Sequence, residues 1–346
     1  MAGRLLAFSG IITKSKAMKS NLLTKAEFEQ MVNMSSVSDI IVFLKEHEGY
    51  RGIFENMEII HRGQIEHELI HSLQMTYAKL YRFARVKQRN LIRMFFYRFE
   101  ILVIRECLQG ISRGEELFDL SLFEEFFRKH SEIDLAKISS ADTIDSFIEA
   151  LRGTNYYEIL KEVQNVPNPE LFDFETRLDV YYFEKMWKIK DKYLSGRERR
   201  AFTDIIGREI DLLNLIWIYR FKTYFDTDNG KIMKSIIPIQ YKLTKRMVAD
   251  MVAADGITEL NEMIKNCPYH RLFHEEDINK DELEHSYRSY IDRVYKEHAQ
   301  ANEMSIIPIY LFLHMKEREM DKLTTAIECV RYGLTPDRSL KILENL

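Results

Sequence analysis

The chain has 346 residues, of which 46% are hydrophobic and 30% charged, with a formal net charge of -4. That balance gives no basic footprint for nucleic acid, and the length allows two or three domains with cores of their own. Thirteen Gly and six Pro are few for such a chain, which points to long helices and few turns.

Cys107, Cys267 and Cys329 are odd in number and widely spaced, so they match neither a disulfide framework nor a CxxC metal site and read as reduced thiols in a cytoplasmic protein. No apolar run approaches the roughly 18 residues of a membrane span. A short apolar patch, Leu5 to Ile12, is followed at once by Lys14, Lys16 and Lys19 without a small-residue cleavage site, which does not describe a signal peptide. Any membrane link is therefore expected to run through partner proteins.

In chain order, a helix is predicted over Ala2 to Lys19. Thr24 and Glu27 have capping-box spacing and start a second helix. Ser36 to Lys45 reads as a short helix with Ile40, Ile41, Phe43 and Leu44 inward, closed by a turn at Glu48 to Tyr50. A long helix follows from Gly63 to Arg85. After a basic connector, another runs from Leu91 to Gln109; the basic stretch Arg82 to Arg93 could touch anionic lipid or an acidic partner, but reads first as a solvated face. The two make an antiparallel hairpin.

The same plan recurs twice. LAKISS at Leu135, the segment ADTIDSFIEALRGTNYY with its Tyr-containing turn, and long helices over Phe174 to Lys192 and Ala201 to Thr223 make the second copy. LTKRMVADM at Leu243, GITELNEMIKNCPYH, and long helices over Leu283 to Gln300 and Pro308 to Tyr332 make the third. A last short helix is expected in TPDRSLKILENL. Leu23, Leu135 and Leu243 are 112 and 108 residues apart; Glu66, Glu175 and Glu284 are 109 and 109 apart; Glu100, Glu209 and Glu319 are 109 and 110 apart. The period is too long for a TPR or HEAT solenoid and implies three similar helical subdomains, 1–114, 115–229 and 230–346. The repeated Leu reads as core, and the repeated Glu as an acid at a helix start, matched to the dipole. The most apolar stretch is Glu209 to Tyr224. One face holds Leu212, Leu215, Ile216 and Tyr219, the other Ile210, Leu213, Trp217 and Phe221, so this helix is expected to be buried nearly all round.

The N-terminal NLLTKAEFEQM, the ExxLNLIWIYR-like segment from Glu209 and the threefold plan together resemble the C subunit of archaeal and bacterial V/A-type rotary ATPases, whose eukaryotic counterpart is the d subunit of the V-ATPase. The resemblance covers essentially the whole chain and lies in the order and spacing of the copies; LAKISS departs most from the LTK pattern. It implies an all-α fold of three similar helical-bundle subdomains in a pseudo-threefold funnel. It implies a non-catalytic socket of the central rotor, peripheral to the cytoplasmic face of the membrane. That socket links the central axle subunits to the membrane rotor ring and passes torque between them, with no cofactor and no nucleotide site of its own. The residues agree on the negative side: there is no GxxxxGK[ST], no GxGxxG and no GxSxG.

One motif competes. His67 to His71 reads HELIH, in which His67 and His71 share a helix face and could bind zinc with Glu68 as general base, making a zinc metallopeptidase the alternative function. The xxGxxH extension is missing, and only Glu100 or Glu106 offers a distant third ligand. The later copies place Thr176 and Val180, then His285 and Ser289, at these positions, so the histidines read as local decoration of an architectural helix and the metal site is rejected. The short helix pairs could also imitate DNA-reading helix-turn-helix units, which the acidic net charge disfavours. For partner binding, Arg113, Arg220 and Arg331 fall near the same end of the second long helix of each copy and are expected to gather at one rim; the alternative is that each caps its own helix.

Overall fold

The computed structural model describes the backbone of residues 2–54, 62–114, 120–224, 228–273 and 278–346, and all their side chains except those of residues 2–7, 62, 87, 122, 280 and 281. The start of the apolar patch, Leu5 to Ala7, thus lies outside the described side chains. The described residues form 17 α-helices and no strand, so the fold is all-α. None of these helices is long and apolar enough to cross a membrane.

The first copy holds α1 (Ala2–Lys19), α2 (Lys25–Val32), α3 (Val37–Glu46), α4 (Arg62–Phe83) and α5 (Val86–Arg113). The second holds α6 (Glu124–His130), α7 (Leu135–Ser139), α8 (Ile144–Ala150), α9 (Asn155–Gln164), α10 (Leu171–Tyr193) and α11 (Gly196–Tyr224). The third holds α12 (Asn229–Ser235), α13 (Lys245–Ala253), α14 (Ile257–Lys265), α15 (Lys280–Ala301), α16 (Ile307–Arg331) and α17 (Pro336–Glu344).

Local chemistry starts the short helices. Thr24 accepts the Glu27 amide while the Glu27 carboxylate takes the Thr24 amide, completing the expected capping box. Thr244 caps α13 by accepting the Met247 amide, with no reciprocal bond. In the degenerate second copy Asp134 takes over the cap, and α7 lasts only five residues. The Tyr-containing turn of that copy is in fact the start of α9. Thr154 caps it, and Tyr156, Ile159, Leu160 and Val163 form its buried stripe at helical spacing. The basic connector is also helical, since α5 begins at Val86. Arg, Lys and Gln are good helix formers, so charge alone does not break a helix.

The chain forms two compact units. In the first, which contains α1 to α4, the beginning of α5, α6, α16 and α17, the central element is α16. It packs against α1, α2, α3, α4 and α17, burying Ile307, Ile309, Leu313, Leu323 and Ile327. Each such side chain contributes about 1.5–3 kcal/mol when fully removed from water. In the second unit, which contains the rest of α5 and α7 to α15, the central element is α11. It packs on α10, α14 and α15. Its expected first face is buried throughout; on the second, Ile210 and Phe221 are buried while Leu213 and Trp217 are half-buried.

The position of the repeated glutamates is corrected. Glu100, Glu209 and Glu319 lie in the middle of α5, α11 and α16, several turns past each helix start, and all three are buried. A carboxylate in that setting is too far from the helix start to feel the dipole, which acts within the first turn. Its partners must come from elsewhere.

Candidate functional site

What these acids do is join segments distant in sequence. Glu319 accepts hydrogen bonds from the Leu23 amide, from the Tyr50 hydroxyl at 2.9 Å and from the Lys316 ammonium at 2.6 Å. Lys316 also donates to the Tyr50 oxygen at 3.0 Å. Burial pulls the Lys316 pKa down, against the opposing pull of Glu319; burial and then the Glu319 charge push Tyr50 well up. Lysine, carboxylate and phenol therefore make a closed buried network of hydrogen bonds.

In α11 the equivalent group is Asp211, two residues beyond the repeated Glu209. Its Oδ2 accepts the Lys242 amide at 2.7 Å, the Leu243 amide at 3.0 Å and the Tyr269 hydroxyl at 2.8 Å. Burial raises its pKa, and these donors only partly offset the rise. Glu209 instead accepts from Tyr295 at 3.1 Å. In α5, Glu100 accepts from Tyr156 at 2.6 Å. Tyr50, Tyr156 and Tyr269 belong to the short-helix segments of copies one, two and three. The acids they meet belong to the second long helix of copies three, one and two. Each of these tyrosines thus meets an acid on a long helix from a different one of the three sequence stretches.

The long helices follow the same rule. Tyr77 of α4 donates to Glu317 of α16 at 2.8 Å. Arg105 and Gln109 of α5 reach Asp179 and Glu175 of α10 at 2.7 and 2.6 Å. Arg220 of α11 reaches Glu284 of α15 at 2.6 Å. Two of the second family of repeated acids, Glu175 and Glu284, are therefore partners across these contacts. Sequence reasoning found Glu100, Glu209 and Glu319 but missed Asp211 and the tyrosines, whose pairing over long sequence distances has no local signal.

Of the predicted partner-binding residues, Arg113 is the last residue of α5 and is exposed, and Arg331 is the last residue of α16, with Nε 3.1 Å from Glu328. Arg220 lies one turn before the end of α11 and is partly exposed beside Glu284. A cavity of about 440 Å³ in the second unit is lined by Arg105, Phe172, Glu175, Asp179, Trp217 and Arg220, among others. Phe172 meets Phe221 edge-on at 5.6 Å there. Its guanidiniums and carboxylates are taken up in the ion pairs and hydrogen bonds just described.

The HELIH residues sit on α4. His71 Nδ1 lies 3.6 Å from Glu68, and its ring meets Phe123 edge-on at 6.4 Å. Among the described residues no cluster of three or more His, Cys, Asp and Glu could hold a metal, and Glu100, one suggested third ligand, is engaged with Tyr156. Nothing in the arrangement supports a zinc metallopeptidase.

Comparison with known proteins identifies the family. Residues 11–341 match the model of the ATP synthase (C/AC39) subunit family. The C subunit of the A-type ATP synthase of Methanosarcina mazei is 26% identical over 251 residues, covering 72% of this chain and 68% of the relative. That of Archaeoglobus fulgidus is 24% identical over 340 residues, covering 96% and 94%. That of Methanocaldococcus jannaschii is 22% identical over 355 residues, covering 99% and 87%. The chain therefore belongs to the ATP synthase (C/AC39) subunit family, as a non-catalytic subunit of the V/A-type ATPase class.

Proposed function

We propose that this subunit is the central-rotor socket of its complex. It receives the foot of the central axle, stands on the membrane rotor ring at the cytoplasmic face and transmits torque between them. The observation that carries the reading is the family match across residues 11–341. Buried tyrosine–carboxylate joints, at Glu100 and Asp211 in one compact unit and at Glu319 in the other, tie segments distant in sequence within each unit, which suits a torque-bearing part. We further propose that the three copies, 1–114, 115–229 and 230–346, act as three similar subdomains of a pseudo-threefold funnel, with Arg113, Arg220 and Arg331 at one rim. The test is co-assembly: the tagged protein mixed with detergent-solubilised rotor ring and purified axle should retain both, and failure to retain either one contradicts the socket.

A further inference from the structure

The bend between α4 and α5 carries a surface that the socket reading leaves unused. Phe83 ends α4 and Val86 begins α5, and they are 54% and 75% exposed. Around them Arg82, Arg85 and Arg93 are exposed, and Lys14 of α1 lies 5.4 Å from the Phe83 ring. Arg128 and Lys129 of α6 add to the charge, with Glu124 and Glu125 as the local acids and Lys129 paired to Glu125. The positive field is felt by His130, whose pKa is pushed down by burial and then by Arg93, Lys129 and Arg89.

The bend between α10 and α11, in the other unit, repeats the design. Tyr193 is 40% exposed, with Lys192 at 5.2 Å from its ring, and Lys188, Arg197, Arg199 and Arg200 are exposed beside it. The one exposed acid there, Asp191, is paired to Lys190 at 2.9 Å. The bend between α15 and α16 differs: it exposes Met304 beside Glu303 and has no Lys or Arg from Glu297 to Ile306. Basic bends with apolar apices thus occur at two of three equivalent places in a chain whose net charge is -4.

We infer that the Phe83–Val86 and Tyr193 bends dock on the surface of an anionic phospholipid bilayer. The rings and Val86 enter the headgroup layer while the flanking guanidiniums and ammoniums meet phosphates. Aromatic and aliphatic side chains flanked by clustered cations have the chemistry of interfacial binding. The apolar atoms sit at the apex of a tight bend rather than in a groove. That suits a yielding surface better than a protein partner, which needs a matching concavity. This adds a direct lipid contact to attachment through partners and does not depend on the socket assignment.

Flotation of the isolated full-length chain with vesicles tests it. Vesicles containing phosphatidylglycerol should carry the chain, and pure phosphatidylcholine vesicles should not. Arg82→Glu with Arg85→Glu, or Arg197→Glu with Arg199→Glu and Arg200→Glu, should weaken binding at least about tenfold, while Lys296→Glu on α15 should leave it unchanged. A Val86→Cys variant, labelled with an environment-sensitive dye, should brighten on the anionic vesicles; the native cysteines are buried. Absence of flotation, equal flotation by the bend variants, or a dye response to soluble polyglutamate and not to vesicles would overturn the inference, the last assigning the bend to an acidic protein.

Discussion

The Tyr50 hydroxyl donates to Glu319 across 269 residues of sequence, at 2.9 Å and out of contact with water. Its loss should be graded. Tyr50→Phe removes this hydrogen bond and the one that Lys316 donates to the same hydroxyl, and should cost about 1–3 kcal/mol in denaturant unfolding. Glu319→Leu strands Lys316, which is itself buried, and should cost about 3–5 kcal/mol. Adding Lys316→Met should recover most of that loss. If the single and double variants unfold alike, Glu319 is not the partner that Lys316 requires.

Gly207 lies inside α11 with the Tyr241 ring where a Cβ would stand. Alanine ordinarily stabilises a helix interior by about 1 kcal/mol over glycine. Here Gly207→Ala must push Tyr241 aside, and with it the hydroxyl that donates to Asp204. The substitution should lower the melting temperature; a rise would show that the ring moves freely.

Asp204 gathers His298 at 2.8 Å, Arg208 at 2.9 Å and the Tyr241 hydroxyl. Burial alone would raise its pKa, but these partners outweigh burial and hold it well below the usual carboxylate range. A depressed folded-state pKa adds stability that is present above the unfolded value of about 3.9 and lost as pH falls through the folded value. Stability measured from pH 7 downward should fall below about pH 4, and Asp204→Asn should be less stable at pH 7 by about 2 kcal/mol with a shallower acid limb. An unchanged acid limb would remove Asp204 from the account.

His67→Ala with His71→Ala should leave assembly intact and change stability by no more than about 1 kcal/mol, because both side chains are partly exposed. Tight stoichiometric zinc in the parent chain, lost together with a hydrolytic activity in this variant, would revive the metallopeptidase.

Much of the fold is legible in the sequence because long helices write a strong period. The first helix matches at Ala2 and Lys19, and the six long ones fall within a few residues of their expected ends. The misses share a cause. Glu100 and Glu209 look like capping acids until the tyrosines that meet them are known, and those tyrosines lie 56 and 86 residues away. The period reveals that a position recurs, but partner choice belongs to packing, which shifted the second copy's acid from Glu209 to Asp211. The apolar apices at Phe83 and Tyr193 were equally hidden, since their exposure depends on where each helix stops. Family likeness was carried by order and spacing, and those survive at identities near 24%.

The rim and the socket meet in one measurement. In complexes immobilised through the catalytic head, a particle attached to this protein should rotate during ATP hydrolysis, in step with one attached to the axle. Arg113→Glu, Arg220→Glu and Arg331→Glu together should leave the isolated chain folded and the head hydrolysing ATP, while ring attachment and ion transport fall. The Arg220–Glu284 pair is only partly exposed, so its loss, with the repulsion that Arg220→Glu adds, contributes on the order of 1 kcal/mol or more to any change in stability. Rotation of the particle on the parent protein is the predicted result. A particle that stays still while the axle turns would contradict the central claim.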